Sequence, residues 1–108
     1  MLRGEIWWAN LPRPSGRRPV LLLTRNSAYD RRTSITVAPI TRSIRGIPVE
    51  VLLDESDGMP QRSIVNLDDI ATVPKGFLAE RITTLSAAKM VEVAQAINYA
   101  LDLGFDQS

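Results

Sequence analysis

Histidine and cysteine are both absent from this sequence. Without cysteine there can be no disulfide and no thiolate nucleophile. Without histidine as well, the usual protein ligands for zinc and copper are missing. The same absences exclude a Ser-His-Asp arrangement and the most common acid–base devices. No P-loop and no GxGxxG is present, and nothing resembles a calcium loop. No apolar run approaches the roughly 18 residues needed to span a bilayer, and the signature of a signal peptide is lacking. A cytoplasmic protein without membrane contact is therefore expected.

Lysine is missing from the first 45 residues, although that half is strongly basic. It holds nine arginines (Arg3, Arg13, Arg17, Arg18, Arg25, Arg31, Arg32, Arg42 and Arg45) against Glu5 and Asp30, a balance of +7. The remaining residues hold four basic side chains against ten acidic ones, a balance of −6, so the formal net charge is only +1. Arginine's planar fork suits bidentate phosphate contacts, which lysine makes less well. Charge alone leaves two readings open: an anionic, phosphate-bearing partner, or two halves that neutralise each other within the fold.

The length of 108 residues suits a single domain covering 1–108, and 44% hydrophobic with 23% charged is an ordinary globular composition. GEIWWA at 4–9 reads as a first strand with its two tryptophans on opposite faces. LPRPSG at 11–16 is a proline-rich loop. PVLLLT at 19–24 reads as a buried central strand. SITVAPIT at 34–41 alternates like a strand, with Pro39 arguing for an edge position or a bulge. A strand follows with Val49, Val51 and Leu53 alternating, then the loop DESDGMP at 54–60. Short strands are expected at 63–67 and 70–73, and a helical turn plus a last strand over 77–84. Ser86 caps a helix predicted to run to about Leu103, with Met90, Val93, Ala94, Ile97 and Leu101 on one face and Gly104 at the stop. The expected fold is mainly β with a C-terminal helix: a small antiparallel barrel-like sheet plus one long helix.

Two groups of carboxylates stand out. Asp54, Glu55 and Asp57 fall among turn residues and read as a solvated turn. Asp68 and Asp69 lie between two short strands and read as a turn capped by an Asp side chain. What remains for chemistry is arginine and hydroxyl groups. Such a set can still cleave RNA, because RNA carries its own nucleophile in the 2′-OH. The protein need only align that oxygen with the phosphorus, stabilise the phosphoryl oxygens and help the 5′-oxygen leave. None of this requires a metal, and no cofactor is expected. DNA lacks the 2′-OH and could not be cut this way.

Five segments taken in order, GEIWWANL, GRRPVLLLTRN, TVAPIT, RSIVNLDDIATV and ITTLSAAKMVEVAQAINYAL, resemble the MazF/PemK toxin family over nearly the whole chain. The resemblance implies an SH3-like barrel with a C-terminal helix, acting as a homodimer. It implies a metal-independent endoribonuclease that cuts single-stranded RNA at short sequence motifs, leaving a 2′,3′-cyclic phosphate and a 5′-hydroxyl. It further implies a cognate antitoxin that wraps the toxin and covers the RNA groove. By position, the arginine of the family's RPV segment is Arg18 and the threonine ending its third strand is Thr41, the two implied catalytic residues. Ser63 matches the serine of the family's DSV segment. Arg17, Arg25, Asn26, Arg42 and Arg45 join it as candidate RNA contacts, and Trp7 or Trp8 could stack on a base. Arg31 and Arg32 fall in a turn and read as a solvated face.

Two departures bear on substrate choice. PRPSG is shorter than the family's GSEQxG-type loop and lacks its acidic residue, and Arg62 replaces the DSV aspartate. Two other readings stand beside that of an endoribonuclease: a non-catalytic toxin of the related CcdB type that binds DNA gyrase, and a nucleic-acid-binding barrel without activity.

Overall fold

The computed structural model describes residues 1–105. In chain order it contains β1 (Glu5–Asn10), β2 (Arg17–Leu22), β3 (Ser34–Thr41), β4 (Glu50–Leu53), β5 (Ser63–Asn66), β6 (Ala71–Pro74), β7 (Leu78–Thr84) and α1 (Ala87–Leu101). Among the described residues the seven strands form one sheet in the order β4-β5-β3-β2-β1-β7, with β6 paired to β3. The pairings are antiparallel. The β-rich, single-helix architecture expected from the sequence is therefore the one observed. No described helix is long and apolar enough to cross a membrane.

The apolar run of β2 is explained by burial on both faces. Leu21 and Leu23 join a larger core with Ile6, Leu53, Val65 and the helical Val93. Val20 and Leu22 join a second core with Tyr29, Ile35 and Val37, against which Trp7 packs. Successive strand residues point to opposite faces, so one strand serves both clusters. Ile6, Leu21, Leu22 and Leu53 are completely buried, and cutting any of them to alanine would cost about 2–5 kcal/mol.

Pro39 does not sit on an edge. β3 is central, with β2 on one side and two short strands on the other. Opposite β2, β6 pairs with Ser34 to Val37 and β5 with Ile40 and Thr41. Pro39 falls between these two partners, where a missing backbone N–H interrupts no ladder on that side.

The helix starts where expected: the Ser86 hydroxyl accepts the Lys89 N–H at 3.1 Å. Its end comes earlier than Gly104, at Asp102, which takes a left-handed conformation (φ 51°) and returns its N–H to the Asn98 and Tyr99 carbonyls. The buried stripe covers only part of the expected face. Val93 and Ala96 are buried with Met90, Ile97 and Ala100 packed beside them, whereas Ala94 and Leu101 are exposed. Each helical step turns about 100°, so the sheet beneath, not the apolar count, selects the face.

Candidate active site

The β2–β3 register builds the site. Val20 stands opposite Pro39, so the same antiparallel register continued two residues sets Arg18 opposite Thr41. On its other side Arg18 faces Ala9 of β1. Opposed residues on one face of such a pair have Cβ atoms about 5 Å apart. Thr41 also pairs with Ile64 of β5, which brings the adjacent Ser63 into the same wall. Arg17, Arg18, Thr41, Arg42 and Ser63 all line one open cavity of about 870 Å³. The ends of three strands, β2, β3 and β5, thus deliver side chains that lie far apart in sequence.

Each of these groups has a distinct environment. Arg18 is half-buried and forms no ion pair among the described residues. Its positive charge faces the cavity without a counter-ion. The Thr41 hydroxyl accepts the Ser43 N–H at 3.2 Å, which leaves its own proton available to donate outward. Arg42 is held by the Gln61 side-chain carbonyl at 2.7 Å. Ser63 is almost fully buried and its hydroxyl donates to the Gln61 carbonyl at 3.4 Å. Arg17 lies over the Trp8 ring, 4.8 Å from its centroid, and pairs with Glu80 at 3.1 Å.

Arg25, Asn26 and Arg45 do not line this cavity. Arg25 and Asn26 follow the far end of β2, and the strand alone separates that end from Arg18 by roughly 13 Å. There the Asn26 side chain accepts the Arg3 N–H at 2.6 Å, a local bond that ties the N-terminal segment to the β2–β3 connection. Arg45 lies in the β3–β4 loop, where its N–H and guanidinium both bind the Glu50 carboxylate. Burial works against the Glu50 charge, but the Arg45 and Gly46 N–H groups and the Arg45 guanidinium outweigh it. The Glu50 carboxyl is held below the ordinary value of 4.5. Glu5 behaves likewise: burial opposes its charge, and bonds from Trp7, the Leu2 N–H and Arg81 more than compensate.

The tryptophans divide as their alternation requires. Trp7 packs on the second core and donates its indole N–H to Glu5 at 3.0 Å, whereas Trp8 lines the cavity. Met59, Pro60 and Gln61 line it as well. They end the DESDGMP loop and Gln61 follows it; nothing in their local sequence marks them as more than turn residues. Gly58, at φ 89°, lets that loop pass so close to Thr83 that a Cβ would overlap its side chain. Glu80 had no signal of its own either, because its place beside Trp8 is set by the β1–β7 register.

The carboxylate groups are structural. Asp54 caps a short 3-10 turn by accepting the Ser56 N–H at 2.8 Å, reciprocated by Asp57. In the second group the cap is Asn66 rather than an aspartate: it accepts the Asp68 N–H at 3.0 Å while Asp69 holds its amide. An amide can accept and donate at once, as this turn requires, and a carboxylate cannot. Among the described residues no cluster of three or more acidic side chains is arranged to hold a metal ion.

Comparison with known proteins gives a consistent answer. A family model described as the PemK-like, MazF-like toxin of type II toxin-antitoxin systems matches residues 2–101. The chain is 41% identical to the probable endoribonuclease MazF5 of Mycobacterium tuberculosis, covering 93% of this chain and 92% of that protein. Among solved structures it is similar to the M. tuberculosis toxin MazF-mt6, with a TM-score of 0.84, 39% identity and coverage of 91% and 96%. It is also similar to a mycobacterial endoribonuclease solved with its cognate antitoxin, with a TM-score of 0.87, 25% identity and coverage of 98% and 99%. With the match spanning nearly the whole chain, this protein belongs to the PemK-like, MazF-like family of toxins of type II toxin–antitoxin systems.

Proposed function

We propose that this protein is the endoribonuclease toxin of a toxin–antitoxin pair, acting on single-stranded RNA in the cytoplasm as a homodimer and neutralised by a cognate antitoxin. The observation that carries this reading is the unpaired Arg18 set by register opposite Thr41 in an open, basic cavity. The relatives that bear the endoribonuclease name support it over a gyrase-binding or purely RNA-binding role.

The chemistry follows from the groups present. The 2′-oxygen attacks the adjacent phosphorus, forming the 2′,3′-cyclic phosphate as the P–O5′ bond breaks. Its proton passes to water and the departing 5′-oxygen takes one up. Arg18 acts electrostatically on the phosphoryl oxygens, since a guanidinium keeps its proton at any working pH. Thr41, oriented by the Ser43 N–H, donates its hydroxyl proton to the same phosphate. Arg17, Arg42 and Ser63 line the path of the strand, with Arg42 the most direct candidate for a flanking phosphate. Every group needed belongs to the chain, the RNA or the surrounding water, so the reaction proceeds without added metal.

The test is end-mapping of a long RNA incubated with the protein in EDTA. Discrete cuts bearing 5′-hydroxyl ends are expected, and with Arg18→Ala none over the time in which the wild type goes to completion. Cleavage that appears only when magnesium is added would overturn the mechanism.

A further inference from the structure

Three strands place a charged stack across the rim of the cavity. In the β1–β7 register Glu80 stands directly opposite Trp8. In the β1–β2 register Arg17 stands opposite Asn10, so it shares the Trp8 face, which alternates along β1. Arg17 reaches across the indole, 4.8 Å from its centroid, to bind Glu80 at 3.1 Å. Trp8 and Arg17 line the cavity, whereas Glu80 stands beside it. All three meet solvent: the Arg17 and Glu80 side chains are 47% and 68% exposed.

This arrangement is self-occupied. The indole face suits a nucleobase, and a guanidinium already covers it. The guanidinium suits a phosphate, and a carboxylate already holds it. An exposed ion pair of this kind is weak enough for a phosphate to displace. We infer that Trp8, Arg17 and Glu80 form a latched nucleobase subsite: Glu80 holds Arg17 over Trp8 in the free protein, and an RNA strand opens it. A phosphate draws Arg17 away from Glu80, and the neighbouring base takes the exposed indole face. Glu80 therefore acts as a built-in competitor that sets how strongly RNA must bind to engage the rim. This rests on the proposed action on single-stranded RNA, but it concerns binding and is independent of cleavage.

The test uses a short single-stranded RNA with 2′-O-methyl groups, which binds without supplying the nucleophile. Affinity and its salt dependence are measured for the wild type, Glu80→Gln, Arg17→Ala and the double variant. Glu80→Gln is expected to bind about three- to fivefold tighter, the scale of one exposed ion pair. Arg17→Ala is expected to weaken binding and lower the slope of log affinity against log salt by about 0.7, one phosphate contact on a single strand. In the Arg17→Ala background the gain from Glu80→Gln should disappear. An equal gain in both backgrounds would mean simple repulsion by Glu80 and would overturn the latch, as would weaker binding by Glu80→Gln. Indole emission that is quenched by the RNA in the wild type should lose that component in Trp8→Leu; unchanged quenching would remove the base from Trp8. Should the wild type fail to bind any single-stranded RNA, the functional proposal itself falls, whereas binding without coupling removes only the latch.

Discussion

The two ends of the β2–β3 pair carry similar residues and do different work. At one end Arg17, Arg18, Thr41 and Arg42 surround an open cavity. At the other, Arg3, Arg25, Asn26 and Thr24 bracket the connection between the same strands. There Arg3, Asn26 and Thr24 are bound to the chain itself. The Arg3 guanidinium donates to the Leu23 carbonyl, the Asn26 side chain accepts the Arg3 N–H and the Thr24 hydroxyl accepts the Thr36 N–H at 2.7 Å. Lys75 similarly donates to the Tyr29 carbonyl across the turn. Arginine content alone does not mark a binding end. What separates the two is the open cavity: Arg18 faces it without an ionic partner among the described residues, whereas Arg3 is bound to a carbonyl of the chain.

The sharpest way to break that contrast is to remove one cation from each end. Arg18→Ala is expected to lower the rate of RNA cleavage by about 100- to 1000-fold, the scale of losing one preorganised charge donor. Its thermal unfolding should barely change, because Arg18 has no internal ionic partner to lose. Thr41→Ala should lower cleavage by about 10- to 100-fold, with Thr41→Ser recovering most of it, since serine keeps the hydroxyl. A far-end change should invert the pattern. Arg3→Ala is expected to destabilise the fold by about 1–2 kcal/mol through an unsatisfied carbonyl and a looser N-terminal segment, read by denaturant unfolding, while cleavage per folded molecule is unchanged.

The pH response should be carried by groups outside the catalytic pair. Glu5 and Glu50 both have folded values lowered from 4.5. Their stabilisation is present above that value and is lost as the pH falls through the lower folded values. Unfolding midpoints measured from pH 6 down to about 3 should therefore fall, and the fall should be shallower in Glu50→Gln. The smallest effect belongs to Arg25→Ala, for which less than about a twofold change in cleavage is expected, the scale of an exposed contact outside the site. A large loss there would erase the distinction between the two ends.

Much of the scaffold is legible in local residue order. β-branched alternation marks β3 over the observed bounds, the unbroken apolar run marks β2 as central, and Ser86 marks the helix start, because each of these signals is a short-range property of the backbone and its nearest side chains. The misses have one cause. Pro39 argues for an edge position or a bulge because a missing N–H usually spoils a ladder, yet β3 is central and the partner strands on its outer side part around Pro39. Ala94 and Leu101 share the apolar face expected to serve as core or dimer contact, yet within the chain the sheet meets the helix along Val93, Ala96 and Ala100. Gln61 and Glu80 carried no signal, because each becomes part of the site region only through a strand register set by residues far away in sequence.

The residue types restrict the chemistry before any folding is considered. A chain without histidine or cysteine, and with an all-arginine basic half, is left with guanidinium and hydroxyl groups. The order of its segments adds the family, and with it Arg18 and Thr41 as the pair to examine. Folding sorts equivalent arginines into different roles. Arg17 and Arg18 are neighbours in sequence, but alternation along β2 sends one onto Trp8 and Glu80 and sets the other across from Thr41. Arg45 is tied to Glu50 and Arg42 to Gln61. The reason is geometric: side-chain identity is local, whereas the partner available to a charge depends on which distant strand lies about 5 Å away.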